Sequence, residues 1–156
     1  DGKIFFYGHL MKKTDHYLAF EKNENVLVIF NGPNTYVSAS WYTNPVVAST
    51  WNYIAVHAKG KIKLMDEEGT YQVIKAITDK YEGTETAASF DKLPGEYVSK
   101  LIKAIAGFSI EVESFDNVFK LSQNHNEETR RSIATHLQVK GDEHSTVIAR
   151  EMQNRP

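Results

Sequence analysis

The sequence predicts a mainly β fold with added helices, a closed or partly closed antiparallel barrel that carries peripheral helices. Short segments rich in aromatic and β-branched residues are separated by turn residues, which is typical of strands. These segments lack strand–helix–strand spacing, and the helical patterns come late in the chain. With 156 residues and 41% apolar content, the chain is long enough for one sizeable core. We therefore expect one domain.

Most of the predicted strands lie in the first half of the chain. Four segments are predicted on this basis: residues 3–11, 26–31, 35–38 and 52–64. Gly32 and Pro33 predict a turn after the second segment, and Gly60 suggests a bulge inside the fourth. One or two helical turns are expected over His16 to Lys22, and a loop held by Pro45 over Trp41 to Ser49.

The second half of the chain alternates helical and strand patterns. Apolar residues recur at helical spacing from Tyr71 to Tyr81, and Gly83 is expected to end this helix. The same spacing returns after Pro94, which is expected to begin the next helix. Residues 108–112 alternate apolar and polar side chains, and residues 118–121 are expected to pair with them. Asn126 and Gly141 are expected to bound a further helix, and a last one is predicted over residues 145–153.

Composition excludes several classes of protein. The absence of cysteine excludes disulfides, thiolate nucleophiles and cysteine-ligated metal centres, and it favours a reducing compartment. A net charge of -2 with mixed signs disfavours direct DNA binding. Since no long apolar run or signal peptide is present, we expect a soluble, cytoplasmic protein without a membrane segment. The chain starts at Asp1 close to a strand, so some N-terminal sequence is expected to be missing.

No sharp catalytic or phosphate-loop motif is present, so motifs alone predict no catalytic residue. The six histidines lack close metal-ligand spacing, and no metal site is predicted. One segment stands out, from Ser38 to Tyr53, because it concentrates tryptophan, tyrosine, hydroxyl and amide side chains around a loop. Such a mixture suits a planar cofactor with polar edges, although an aromatic core with a turn also explains it.

Six motifs, in order, closely resemble those of the PaiB-like family of split-barrel proteins. They are GHL at 8–10, VLVIFNGP at 26–33, TYVSASWY at 35–42, TWNY at 50–53, AVH at 55–57 and FKLSQN at 119–124. The resemblance implies a six-stranded split β-barrel that forms a homodimer, with flavin mononucleotide (FMN) bound at the subunit interface. It implies a barrel domain over residues 1–123 and a helical segment, residues 124–156, packed on the barrel.

The resemblance also assigns cofactor-binding residues by position. The expected FMN site consists of His9, Lys12, Ser38, Ser40, Trp41, Tyr42, Thr43, Thr50, Trp51, Asn52 and Gln123. Ser40 and Thr43 are suited to the phosphate. Lys12 stands where the family usually has an arginine, which keeps the charge and loses bidentate geometry. Gln123 and Asn124 are expected either to reach the partner subunit's flavin or to cap the neighbouring turn.

Three functions follow from the resemblance. The first is a flavin-dependent oxidoreductase or flavin reductase, with NAD(P)H or a small molecule as second substrate. The alternative is a negative transcriptional regulator that acts indirectly and without catalysis. A third is haem binding, with His9, His57, His136 or His144 as candidate ligands.

Overall fold

Mixed α/β structure is found in the described part of the chain, residues 2–44 and 46–155 of a computed structural model. Its four strands are β1 (Phe5–Met11), β2 (Asn25–Val37), β3 (Thr50–Leu64) and β4 (Ile105–Lys120). Its five α-helices are α1 (Asp15–Lys22), α2 (Glu67–Glu82), α3 (Gly95–Ala104), α4 (Glu127–Lys140) and α5 (Glu143–Asn154). Short 3-10 turns cover Ala39–Trp41 and Phe90–Lys92.

The strands form one sheet in the order β1-β4-β3-β2. β1 and β4 are antiparallel, and Gly8 stands opposite Phe108. β2 and β3 also run antiparallel, since the N–H of Ile62 donates to the carbonyl of Glu24 while Gly32 lies against Ile54. The predicted antiparallel sheet is therefore confirmed, with β1 and β2 at its edges.

The turn predicted at Gly32 and Pro33 is wrong, because both residues lie inside the continuous strand β2. Proline has no N–H to donate and is tolerated on edge strands, and β2 is an edge strand. A Cβ at Gly32 would stand 2.9 Å from the carbonyl oxygen of Ile54, so glycine allows the close approach of β3. These residues therefore serve strand pairing, and the segments predicted over 26–31 and 35–38 are one strand.

The pairing predicted between residues 108–112 and 118–121 is also wrong, because β4 runs through both segments without reversing. The polar stretch that separates them, residues 113–117, is exposed. These residues are mainly polar because both faces of the strand are exposed to water there, and the chain does not reverse. The two mergers leave four strands in the described residues where the resemblance implied six.

The helix boundaries follow the predicted caps. Gly83 ends α2, Pro94 precedes α3, and Gly141 ends α4 in the left-handed conformation. The side chain of Asn126 accepts a hydrogen bond from the N–H of Thr129 and so begins α4. No helix within residues 2–44 and 46–155 combines the length and apolar character that crossing a bilayer requires.

The described chain divides into two compact units. The first contains residues 2–27 and Ala58–Ser114. In it, α2 and α3 enclose a small apolar core of Phe90, Val98 and Ile102. Gly107 lies against α2, where its N–H donates to the hydroxyl of Thr70 at 2.8 Å.

The second unit contains Val28–His57 and residues 115–155. Here α4 and α5 pack on each other and on strand residues, and Ile133, Leu137 and Ile148 are fully buried. The buried hydroxyls of Thr35 and Ser145 lie 2.8 Å apart and connect β2 to α5. The loop expected over Trp41 to Ser49 follows a 3-10 turn, and Pro45, which was expected to hold it, lies outside the described residues. The division expected at residues 123 and 124 stays a prediction.

Candidate functional site

A cavity of about 370 Å³ lies in the second unit, where the loop before β3 meets the end of β4. We call it the Thr50 cavity. Its walls combine hydroxyl, amide, amine, imidazole and phenol groups with two small apolar side chains. The lining residues are Tyr42, Val47, Ala48, Ser49, Thr50, Asn52, Lys120, Ser122, Asn124 and His125. A concave site with a few convergent polar groups suits a small molecule.

The positive charge of the Thr50 cavity comes from the last residue of β4. Lys120 donates a hydrogen bond from Nζ to Oγ1 of Thr50, the first residue of β3, across 2.5 Å. Lys120 is exposed and Thr50 is partly buried. An ammonium group beside a hydroxyl is a suitable pair of donors for an anionic oxygen.

The inner wall of the cavity is a buried amide held in place by its neighbours. Asn52 is fully buried. Its Oδ1 accepts from the hydroxyl of Ser122 at 3.1 Å, and its Nδ2 lies 3.5 Å from the sulfur of Met152. Ser122 has a φ of 59°, which is left-handed and costly for a residue with a Cβ. The strained turn after β4 therefore fixes the hydroxyl of Ser122 on Asn52.

Gln123 stabilises this turn through its own side chain. Its Oε1 accepts from the N–H of Leu121 at 2.6 Å, and its Nε2 donates to the carbonyl of Phe119. These bonds are local, as in the capping alternative predicted for this residue. Whether Gln123 also contacts a ligand stays a prediction.

Aromatic rings close the cavity from the loop side. Tyr42 is buried and meets the ring of His125 edge-on, with the centroids 4.9 Å apart. Tyr42 also belongs to the apolar core of the second unit. The cavity wall is therefore continuous with a rigid core.

Two other predicted residues, Trp41 and Thr43, hold the loop to α4. The ring of Trp41 stacks on His136 at 5.3 Å, and its carbonyl accepts from the hydroxyl of Ser132. The hydroxyl of Thr43 lies 2.7 Å from that of Thr129. None of these five residues lines the Thr50 cavity.

Three further predicted residues of the second unit lie outside the cavity lining: Ser40 and Trp51 are exposed, and Ser38 is half-buried. The hydroxyls of Ser38 and Ser40 are 2.9 Å apart, and Ser38 caps the 3-10 turn. Trp51 is 54% exposed and contacts Tyr36 edge-on, with the ring centroids 6.1 Å apart. An exposed indole on a strand is free on one side to stack against a planar group.

His9 and Lys12 belong to the first unit. His9 lies on β1 opposite Gly107 of β4, and its side chain is exposed. Lys12 follows β1 directly and donates its backbone N–H to the carbonyl of Ala104 at 3.0 Å. Their roles in cofactor binding stay predictions.

Histidines and acidic residues do not gather into a metal site in the part of the chain that the structure describes, which has no group of three such residues placed to hold a metal ion. Two of the predicted haem-ligand candidates make other contacts. His136 stacks on Trp41 and bonds the carbonyl of Ser132 through Nδ1, and His144 lies against the backbone of Asn34.

The Thr50 cavity thus brings together three of the eleven predicted site residues, Tyr42, Thr50 and Asn52. Sequence reasoning missed Lys120, Ser122 and His125 as site residues. The FKLSQN motif contained the first two, a lysine and a serine two positions apart, whose ammonium and hydroxyl groups are both donors to an anion. The positive φ of Ser122 has no signature in the sequence.

Comparison with known proteins identifies the family. The family described as "Putative FMN-binding domain" matches residues 1–114. A Bacillus subtilis relative, "Protease synthase and sporulation protein PAI 2", is 33% identical over 99% of this chain and 75% of its own length. The chain belongs to the PaiB-like FMN-binding domain family. The resemblance predicted from the six motifs is confirmed.

More distant matches of this PaiB-like chain include one sequence relative and two solved structures of similar fold. An uncharacterized protein of Emericella nidulans is 29% identical over 88% of the chain and 61% of its own length. The flavocytochrome Anf3 from Azotobacter vinelandii has a TM-score of 0.57 at 17% identity, over 83% of this chain and 56% of that one. The FAD and heme binding protein from Mycobacterium smegmatis also has a TM-score of 0.57, at 11% identity. That match covers 91% of this chain and 62% of the other. The chain therefore spans about three fifths of the length of these three proteins.

Proposed function

We propose that this PaiB-like chain binds FMN and acts as a flavin-dependent oxidoreductase or flavin reductase. The observation that carries the proposal is a cation and a hydroxyl, Lys120 and Thr50, placed together in the cavity of a chain from an FMN-binding domain family. Two distant structural relatives are named as flavin- or haem-containing proteins, which supports a redox role.

The residues of the Thr50 cavity fit the chemistry of a flavin nucleotide. A phosphate needs cationic and hydroxyl donors, which Lys120, Thr50 and Ser49 supply. A flavin ring carries carbonyl and nitrogen edges, which suit the amide of Asn124 and the imidazole of His125. Trp51 offers an exposed aromatic face outside the cavity. The donor set is thus compatible with FMN.

Some of the other predicted site residues already form hydrogen bonds within the protein. Thr43 is bonded to Thr129 and Ser40 to Ser38, so each would exchange a hydrogen bond to hold phosphate. Asn52 is engaged on both ends of its amide, and its role is to position the wall. The family resemblance alone supports a cofactor-binding role for the remaining residues, His9, Lys12, Ser38, Trp41, Tyr42 and Gln123.

A bound flavin would supply the electron or hydride transfer, and the protein would supply binding and orientation. Lys120 and Thr50 would anchor the anionic end, and the packed ring of Tyr42 would limit the access of water to the inner wall. NAD(P)H or another small molecule would be the second substrate. We place this activity in the cytoplasm, because a chain without cysteine suits a reducing compartment.

The proposal includes a split-barrel homodimer with the cofactor at its interface. Apolar side chains remain exposed on the strands of the second unit, among them Ile29 at 50% and Tyr53 at 37%. Exposed apolar side chains on neighbouring strands are typical of an interface between subunits. A symmetric dimer would bury these residues from both copies.

A regulatory role is the second candidate, and the name of the Bacillus relative favours it. The net charge of -2 disfavours direct DNA contact, so regulation would act through metabolism or a partner protein. The chain would then bind FMN without turning over a substrate. A steady-state assay of the FMN-loaded chain separates the two roles. An oxidoreductase would oxidise NAD(P)H over many turnovers, and a regulator without catalysis would not.

The experiment that tests the proposal is an FMN titration followed by flavin fluorescence and calorimetry. Riboflavin, which lacks the phosphate, is the control ligand. Saturable binding that is at least tenfold tighter for FMN is expected, since charge-assisted hydrogen bonds contribute about 1.5–3 kcal/mol. Absence of FMN binding would contradict the flavoprotein proposal, and equal affinities would contradict the phosphate role of Lys120 and Thr50.

A further inference from the structure

A second cavity of the second unit, about 440 Å³, lies between α4 and α5 and has no role in the proposed flavin site. Three arginines line it, Arg130, Arg131 and Arg155, and we call it the arginine cavity. Ala134 and Met152 give it an apolar side. It shares no lining residue with the Thr50 cavity, and it lies beyond residues 1–114 that the family match covers.

Arg130 carries a positive charge that the described residues do not neutralise. It is partly buried, and its Nη2 donates to the carbonyls of Met152, at 2.8 Å, and Arg155. Its Nε is buried and meets no hydrogen-bond acceptor in residues 2–44 and 46–155. No carboxylate of those residues forms an ion pair with it. A desolvated donor on a charged group is costly when it is unpaired, so Arg130 favours an anion nearby.

The two other arginines of the cavity are held in place by contacts on the surface. Arg131 pairs with Glu127 at 2.5 Å, and Arg155 pairs with Glu151 at 2.8 Å. The guanidinium of Arg155 also lies 4.1 Å from the ring centroid of Phe119. Three guanidinium groups thus meet two carboxylates, and the cavity keeps a net positive charge.

We propose that the arginine cavity binds a small molecule that carries a phosphate or carboxylate group. Guanidinium groups bind both oxyanions through paired hydrogen bonds, and the amide of Gln153 adds a further donor. Ala134 and Met152 would contact the carbon skeleton of the ligand. The concave shape and the small excess of positive charge favour a small ligand over a polyanion such as DNA.

Calorimetric titration of the whole chain with inorganic phosphate and with citrate tests the site, at constant ionic strength set with chloride. At least one of the two anions is expected to bind saturably. Arg131→Gln is expected to weaken that binding about tenfold, because it removes a charge-assisted donor. Glu127→Gln is expected to strengthen it, because it removes the carboxylate that competes for Arg131. Arg130 is left intact, since it also holds the end of α5.

Arg150→Gln is the matched control, because Arg150 is an exposed arginine on α5 that does not line the cavity. It is expected to leave anion binding unchanged. Binding no tighter than that of chloride would overturn the proposal, as would equal effects of the Arg131 and Arg150 variants. A gel shift with duplex DNA that Arg131→Gln abolishes would overturn it in favour of nucleic-acid binding.

An FMN titration of the Arg131 variant keeps this site distinct from the flavin proposal. FMN affinity is expected to stay within twofold of the unmodified chain, whether or not phosphate binds the arginine cavity. A loss of FMN affinity in this variant would overturn the second site, since the arginines would then hold the flavin phosphate. Failure of FMN binding in the unmodified chain would leave the result with citrate and phosphate intact.

Discussion

Lys120 and Thr50 meet through a hydrogen bond that joins the end of β4 to the start of β3. These two residues, 70 positions apart in the chain, are brought together because the two strands are antiparallel neighbours, and an antiparallel pair places the end of one strand beside the start of the other. The pair lines the Thr50 cavity together with Asn124 and His125. Antiparallel pairing thus assembles the cationic part of the proposed flavin site.

Replacing Lys120 by Gln is expected to weaken FMN binding about tenfold, because a charge-assisted hydrogen bond to phosphate is lost. Riboflavin binding should not change, since it has no phosphate. Parallel titrations with both ligands check this, and Lys63→Gln, an exposed lysine of β3 in the first unit, is the control. Equal losses for FMN and riboflavin would contradict a phosphate role.

Trp51 tests the aromatic part of the proposed site. Its ring is 54% exposed and meets Tyr36 edge-on, so replacement by Ala should leave the fold intact. We expect FMN binding to weaken by about 1–3 kcal/mol, the scale of stacking between bases and aromatic side chains. Calorimetry measures the loss, and Trp51→Phe should recover part of it. Tyr81→Ala, which removes an exposed ring from α2, is the control, and an unchanged FMN affinity in the Trp51 variant would reject stacking.

Much of the local structure was predictable because its signals are local. Asn126 and Gly141 bound α4 through a capping side chain and a left-handed residue, and both features depend on residues within one helical turn. The same holds for Gly83 at the end of α2. These three helix ends therefore follow from the sequence alone.

The mergers of strands were not predictable because they depend on neighbours that are distant in sequence. Pro33 lies within a strand only because β2 is at the edge of the sheet, and edge position is a property of the sheet order. The cavity has the same origin, since Lys120 becomes a site residue through its pairing with Thr50. Thr43 and Trp41 show the converse, because their positions in the motif suggested a ligand while α4 supplies their contacts.

The dimer proposal predicts the effect of a charge on the exposed strand surface. Ile29 is 50% exposed on β2, and Ile29→Glu would place a carboxylate in the proposed interface, where desolvation is costly. We expect the dimer dissociation constant to rise at least tenfold, as measured by light scattering over a dilution series. Val139→Glu, at an 82% exposed position of α4, is the matched control and should leave the dimer unchanged. A monomer in the unmodified chain with FMN present would contradict the proposal.

Gly60 tests how closely β3 and β4 approach each other. A Cβ at this position would stand 2.3 Å from the carbonyl oxygen of Glu111, which is backbone and cannot rotate away. Gly60→Ala should therefore destabilise the protein by about 1–3 kcal/mol or more, the scale of overpacking in a well-packed interior. Chemical denaturation measures this change. Gly95→Ala is the control, because a Cβ there meets nothing within 4 Å and should cost nothing, so equal stabilities of the two variants would refute the argument.

Asp142 makes the stability of α5 depend on pH. Hydrogen bonds from the backbone and side chain of Ser145, together with Lys140, lower the pKa of the Asp142 carboxyl from 3.8 to about 2. Because the pKa is lower in the folded protein, the stabilisation is complete above pH 3.8 and disappears as the pH falls to about 2. The stability advantage over Asp142→Asn should shrink across that window, as followed by denaturation at each pH. Ser145→Ala should raise the pKa of Asp142 measured by NMR. A stability difference between the unmodified chain and Asp142→Asn that stays constant down to pH 2 would contradict the lowered pKa of Asp142.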